Sequence, residues 1–111
     1  MRGSGGTATR RALITLSGKQ RRYLRSLGHH LQAVVQIGKH GITEAVIAAT
    51  DAAITTHELV KIRRGSECPQ ERSEIAGALS EALKADVVQQ LGHTVLLYRR
   101  HPQEPVIELP R

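Results

Sequence analysis

Residues 33–43 have the sequence AVVQIGKHGIT, and this stretch decides the fold. The first five residues are mostly apolar and predict a short strand, whereas Thr43 predicts the start of a helix because threonine is a favoured N-cap residue. Between them, Gly38 and Gly41 predict a tight turn in which a ligand can approach the backbone without meeting a Cβ. The free N–H groups and positive dipole end of the following helix attract anions. Such a strand–GxxG–helix unit suits the sugar-phosphate backbone of a nucleic acid.

The charge of the chain is unevenly distributed. Its 111 residues carry a net charge of +6, and no acidic residue precedes Glu44. The basic residues in that part are Arg2, Arg10, Arg11, Lys19, Arg21, Arg22, Arg25 and Lys39. Between Glu67 and Asp86 the balance reverses, since five acidic residues there face only Arg72 and Lys84. The sequence therefore predicts one surface for a polyanion and an acidic helix on the opposite side.

Length and composition indicate one small globular domain. The hydrophobic content is 40%, enough for a single modest core of Leu, Val, Ile and Ala. Cys68 is the only cysteine, which excludes an internal disulfide and suits a reducing compartment. No apolar run approaches the roughly 20 residues that cross a bilayer, and residues 1–9 lack the apolar region of a signal peptide. We expect a cytoplasmic monomer.

Hydrophobic periodicity, capping residues and turn residues predict the element order α-β-α-β-α-β-β. Ser17 and Gln20 form a capping box, and Gly92-His93 is a tight hairpin signal. The expected elements are a helix from Ser17 to about His30, strand 33–37, a helix from Thr43, strand Glu58–Arg64, a helix from near Pro69, and strands Val87–Leu91 and Thr94–Arg99. Right-handed crossovers make the first three strands at least partly parallel, in a mixed four-stranded sheet covered by helices. The predicted fold class is therefore α/β (α+β) with two layers. We expect residues 1–15 to form a flexible basic arm, whose first four residues also resemble a vector-derived leader. Residues 16–100 should form the domain and residues 101–111 an irregular tail.

Helical spacing predicts which side of each helix is buried. On the first helix, one side should pack on the core and the other should form a basic stripe in solvent. The packed side contains Gln20, Leu24, Leu27 and Leu31, and the stripe contains Arg21, Arg22, Arg25 and His29. The second helix should bury Ala45, Val46, Ala49 and Ala53, and the third should bury Ile75, Leu79 and Leu83. In the second strand, Val60 and Ile62 should share one face, opposite Leu59, Lys61 and Arg63.

Several stretches in this order resemble the CRM domain in its stand-alone bacterial form, the YhbY family. They are LSGKQR at 16–21, LRSL at 24–27, the loop at 35–41, HELVK at 57–61, and LG at 91–92 followed by VLLYR at 95–99. The resemblance covers about Leu16 to Arg100. It implies an RNA-binding domain associated with large ribosomal subunit precursors, with a fold similar to the C-terminal domain of translation initiation factor three. The family's RNA-contacting loop corresponds to Gly38–Gly41.

Two positions depart from the family pattern. His40 stands where a small polar residue is more common, and Arg64 stands where an apolar residue is common, so the second strand is expected to end one residue early. The candidate RNA-contacting residues are Gly38, Lys39, His40 and Gly41 in the loop, Lys19, Arg21, Arg22 and Arg25 on the first helix, and Lys61 and Arg63 on the second strand.

Enzymatic function has little support in the sequence. The glycine loop lacks the Gly-Lys-Ser/Thr ending of a nucleotide-binding P-loop, and the six histidines have no zinc-type spacing with Cys68. No cofactor or metal is expected, and Cys68 is read as an inert residue at a helix start. The only aromatic residues, Tyr23 and Tyr98, are expected in the core, so recognition by aromatic stacking has almost no basis. Two alternatives stay open: an interaction module that binds a ribosomal protein or assembly factor through the acidic third helix, and a DNA-binding protein.

Overall fold

The structure is a computed structural model that describes residues 16–111, so the predicted N-terminal arm lies outside the described residues. The helices and strands are α1 (Gly18–His29), β1 (Ala33–Ile37), α2 (Glu44–His57), β2 (Leu59–Arg64), α3 (Arg72–Leu83), β3 (Asp86–Leu91) and β4 (Thr94–Tyr98). The predicted element order is confirmed. Within this part of the chain, no helix is both long enough and apolar enough to span a membrane.

The four strands form one mixed sheet in the order β1-β2-β4-β3. β1 and β2 are parallel, whereas β4 is antiparallel to both β2 and β3. The first three strands therefore run in the same direction, as predicted. The parallel pair follows from the long crossover through α2, and the antiparallel β3–β4 pair follows from the two-residue turn at Gly92-His93.

Helices cover both faces of the sheet. α2 and α3 bury one face, where the core includes Ile54, Ile75 and Leu97. α1 and the C-terminal tail pack on the other face, where Leu24 of α1 lies in a second cluster with Tyr98. The result is three layers instead of the two predicted, because α1 and the tail cover the face opposite α2 and α3. We call the α1 side the α1 face.

The buried side of α2 differs from the prediction. Ala45 and Ala49 are exposed, and the helix instead buries Thr50 and Ile54. Thr50 can be buried because its hydroxyl donates to the Val46 carbonyl at 2.8 Å, so its polar group is satisfied within the helix. Val46 and Ala53 are partly buried against the core, as predicted, whereas Ala45 and Ala49 face solvent.

The prediction that β2 ends early is wrong, since β2 includes Arg64. The Arg64 side chain is only 19% exposed, and its guanidinium donates to the Gln70 carbonyl at 2.5 Å and to the Cys68 carbonyl at 3.0 Å. Arg64 therefore organises the loop that precedes α3. That loop contains Pro69, so α3 starts later than predicted, after the N-cap Glu71. Cys68 is buried in the core but lies in this loop, not at the helix start.

Candidate nucleic-acid interface

The GxxG loop is a tight turn between β1 and α2. The Gly41 N–H donates to the Gly38 carbonyl at 3.0 Å, which places Lys39 and His40 at an exposed tip. Thr43 is the N-cap of α2, as predicted, and its hydroxyl accepts a hydrogen bond from the Val46 N–H at 3.1 Å. The local sequence thus fixes where the side chains of Lys39 and His40 project.

The two glycines of the loop have different environments. Gly38 is exposed, and a Cβ there would meet nothing within 4 Å. Gly41 is buried with a φ of +70°, and a Cβ there would collide with the side-chain amide of Gln70. We expected both glycines to give a ligand close access to the backbone. For Gly41 this is wrong, because Gln70 already occupies that space.

The backbone of the loop is also less available to an anion than expected. Gln70 Oε1 accepts a hydrogen bond from the Ile42 N–H at 3.3 Å, and the Gly41 and Val46 N–H groups are satisfied as described above. The first turn of α2 carries Glu44, whose charge offsets part of the helix dipole. The attraction of the loop for an anion therefore rests mainly on the side chains of Lys39 and His40.

The arginines of the domain fall into two groups. In the first group, each guanidinium donates to backbone carbonyl groups of the fold. Its members are Arg21, Arg64, Arg72 and Arg99. Arg21 was predicted in the solvent stripe, but its guanidinium turns towards the sheet and donates to the Val87 carbonyl of β3 at 3.0 Å. This guanidinium is therefore already used to hold α1 on the sheet.

The second group of basic side chains makes no hydrogen bond or ion pair with other described residues. Its members among the candidates are Lys19, Arg22, Arg25, Lys39, Lys61 and Arg63. Arg22 is exposed and Arg25 is half-buried on α1. Because these side chains have no partner among residues 16–111, their charges are available to a ligand.

Lys61 and Arg63 lie on the α1 face. Val60 and Ile62, which alternate with them along β2, are buried against α2 and α3 on the opposite face. The predicted alternation of β2 is thus confirmed. Arg63 is exposed and Lys61 is half-buried.

One end of the sheet brings the loop and Arg63 together. The Gly65 N–H donates to the Ile37 carbonyl at 2.8 Å, and the Arg64 N–H donates to the His93 carbonyl at 2.7 Å. The ends of β1 and β2, the GxxG loop and the β3–β4 turn therefore meet at this end, which we call the loop end. Arg63 is the second-last residue of β2 and so lies next to the loop end.

The opposite end of the sheet contains the residue that sequence reasoning missed. Glu58 is fully buried with a φ of +66°, between α2 and β2. Its carboxylate accepts hydrogen bonds from the backbone N–H groups of His101, Val106 and Ile107 at 2.6, 2.9 and 2.7 Å. The carboxylate thereby attaches the tail to the domain. The HELVK stretch contains Glu58, but nothing in the sequence indicates this role, because the partners are backbone groups more than 40 residues away.

Tyr98 lies beside this carboxylate. It is 1% exposed, and its hydroxyl has no hydrogen-bond partner among the described residues. Burial raises the pKa of Tyr98 to about 12, and the negative charge of Glu58 adds to the shift. The predicted core position is confirmed for Tyr98, whereas Tyr23 is 38% exposed on α1.

The described residues show no arrangement suited to a metal ion. No three His, Cys, Asp or Glu side chains between residues 16 and 111 lie close enough together to hold one. His29 and His30 are neighbours, but their rings contact each other edge to face, with centroids 5.6 Å apart.

The fold and the loop define a class, a small α+β domain with a GxxG loop between a parallel strand and a helix. The family model of the CRS1 / YhbY (CRM) domain matches residues 16–99. The chain therefore belongs to the CRS1/YhbY (CRM) domain family, as the sequence motifs indicated.

Proteins similar to this chain include stand-alone bacterial proteins. The "Probable RNA-binding protein YqeI" of Bacillus subtilis is 36% identical over 95 residues, which are 86% of this chain and 99% of that protein. An "RNA-binding protein" of Haemophilus influenzae is 39% identical over 99 residues, 89% of this chain and 99% of its own length. The solution structure of SAV1595 from Staphylococcus aureus is 40% identical, with a TM-score of 0.73 and coverage of 86% of this chain and 100% of that one. The predicted α+β fold is thus confirmed.

Proposed function

We propose that this protein binds RNA through the GxxG loop and the basic side chains of the α1 face. The observation that carries the proposal is that some basic side chains are hydrogen-bonded within the fold, whereas others are not. Arg21 and Arg64 are engaged with backbone carbonyls, whereas Lys39, Arg22 and Arg63 have no partner among the residues described. Free cations beside a glycine loop suit the phosphate groups of a nucleic acid. Relatives that are named RNA-binding proteins support RNA as the polyanion.

The RNA in this proposal is ribosomal RNA of large-subunit precursors, bound during ribosome assembly. The CRM-type motifs of the sequence support this choice. The proposal further includes a monomeric protein in the cytoplasm that acts by binding and not by catalysis. Crosslinking the protein to RNA in cells and sequencing the attached fragments tests the choice of RNA. Enrichment of precursor large-subunit RNA supports it, and enrichment of unrelated transcripts contradicts it.

Salt-dependent binding to purified ribosomal RNA tests the contact surface. Lys39→Ala removes one free cation, so we expect affinity to fall about tenfold and the log–log salt slope to become shallower by about 0.7. Arg100→Ala is the matched control, because it removes one exposed charge at the end of the sheet opposite the loop. If both variants bind alike, the loop is only a turn and the proposed surface is wrong.

The acidic side of the molecule supports a second candidate, an interaction with a basic protein. Glu67, Glu74 and Glu81 are exposed in and before α3, whereas Asp86, which the sequence grouped with them, is half-buried on β3. Salt-sensitive binding to protein-free RNA favours the first function. Absence of such binding, with binding to a ribosomal protein, favours the second. Competition by duplex DNA of equal length separates RNA recognition from general polyanion binding.

A further inference from the structure

The α1 face is only partly covered. At the tail end of the sheet, Leu59, Leu96 and Tyr98 are buried beneath α1 and the tail. Near the loop end the same face is open, since Gln36 is exposed there and Leu91 is 59% exposed. α1 therefore leaves part of its own sheet face in contact with solvent, next to the GxxG loop.

Strand register places four side chains in one row across this open part. Gln36 of β1 pairs with Arg63 of β2, Arg63 pairs with Thr94 of β4, and Thr94 pairs with Leu91 of β3. With neighbouring strands about 4.8 Å apart, the row is about 14 Å long. We call these four residues the sheet row.

The sheet row presents unused hydrogen-bonding groups. The Gln36 amide and the Arg63 guanidinium make no hydrogen bond or ion pair with any residue between 16 and 111. The Thr94 hydroxyl donates to the Leu91 carbonyl at 2.8 Å, which leaves its oxygen free to accept. Leu91 adds an exposed apolar group at the end of the row. Donors, acceptors and one apolar group thus share a single open surface.

The sheet row is continuous with the proposed phosphate contacts. Gln36 lies two residues before Gly38, so the row begins where the loop begins. On α1, Arg21 donates to the Val87 carbonyl of β3, and Arg25 lies one helical turn further along the same side of the helix. The row therefore adjoins the loop, and Arg25 lies on the helix that covers the rest of this face.

We propose that the sheet row binds the bases of a short unpaired RNA segment, next to the phosphates held by Lys39. This inference rests on the proposed function and adds the class of RNA. An A-form duplex offers phosphates and a shallow minor groove, whereas unpaired bases expose hydrogen-bonding edges and flat faces. Gln36 and Leu91 are uncharged and do not attract a phosphate backbone. The amide of Gln36 can instead hydrogen-bond to a base edge, and Leu91 can contact a base face. A planar guanidinium suits bases as well, because it can stack on them or donate to their edges.

Two RNA hairpins with equal numbers of phosphates test the inference, one fully paired and one with an internal unpaired segment. The parent protein should prefer the second by at least about tenfold. Gln36→Ala should reduce this preference about fivefold, the effect of one lost hydrogen bond, without changing the salt slope, because a neutral residue releases no counterions. Lys39→Ala should weaken both complexes equally and make the slope shallower. Gln103→Ala, which changes an exposed glutamine of the tail, is the control and should leave the preference intact.

The outcomes separate this inference from the function on which it rests. A parent protein without preference, or a Gln36→Ala variant with the parent's preference, overturns the sheet row as a base-binding site. Sensitivity to Lys39→Ala in the same experiment leaves the proposed function standing. If neither hairpin binds, the proposed function itself is wrong. Urea unfolding of Gln36→Ala should match the parent, which confirms that a lost preference is not a lost fold.

Discussion

Gly41→Ala should destabilise the domain, whereas Gly38→Ala should not, although both glycines belong to the same loop. A non-glycine residue at a φ of +70° costs about 1–2 kcal/mol. The added Cβ also displaces the Gln70 amide and breaks its weak 3.3 Å bond to the Ile42 N–H, at a cost of about 0.5–1 kcal/mol. We expect a total loss of about 1.5–3 kcal/mol for Gly41→Ala. Gly38→Ala should stay within about 0.5 kcal/mol of the parent, because its Cβ points into open space.

Urea unfolding of both variants measures this difference. The midpoint should fall for Gly41→Ala at an unchanged m-value, since only stability changes. The same substitution in a Gln70→Ala background separates the two causes. With the amide removed, only the conformational cost of about 1–2 kcal/mol should remain. Equal losses for the two glycines would refute the reasoning, and an undiminished loss in the Gln70→Ala background would refute the collision.

Three further predictions concern stability and charge. Burial raises the pKa of Tyr98 from 10.0 to about 12, so the fold favours the neutral phenol. The contribution of this group to the free energy of unfolding is therefore fully present below pH 10, and about 2 kcal/mol of it is lost by pH 12. Urea unfolding at each pH should show that Tyr98→Phe lacks this component, and a parallel loss in both proteins contradicts it. Glu58→Gln weakens the attachment of the tail by about 2 kcal/mol, so hydrogen exchange at the Val106 amide should accelerate about 30-fold; unchanged exchange disproves the role of the carboxylate. Arg21→Ala should cost about 1 kcal/mol of stability and leave the salt slope of RNA binding unchanged. Arg22→Ala should leave stability unchanged and make the salt slope shallower. If Arg21→Ala changes the slope and Arg22→Ala changes the stability, the two assignments are wrong.

The order of the elements could be predicted because local signals determine it. The Ser17–Gln20 capping box, the Thr43 N-cap and the Gly92-His93 turn each act within a few residues, and all are present in the structure. Their agreement with the hydrophobic periods predicts the element order and a mixed sheet, whereas the order of the strands in the sheet was not predicted. The Lys39 tip of the loop was predictable for the same reason.

The rest depends on contacts between residues distant in sequence. Gly41 and Gln70 are 29 residues apart, so no local pattern shows that a side chain fills the space above the glycine. Arg21 lies at the border of the basic stripe, and its orientation is set by a carbonyl of β3. Glu58 resembles an ordinary polar residue at a strand start until the tail folds back on it. Burial of polar groups was unpredictable wherever the partner was distant backbone.

Backbone amide shifts during an RNA titration test the central claim most directly. The claim is that RNA binds the loop end of the α1 face. Adding an RNA hairpin with an unpaired segment to the labelled protein should shift the amides of 38–41, of Arg22 and Arg25 on α1, and of Gln36 and Arg63 on the sheet. The amides of α3 should stay unchanged. Shifts centred on α3, or no shifts at all at RNA concentrations that saturate binding, would contradict the claim.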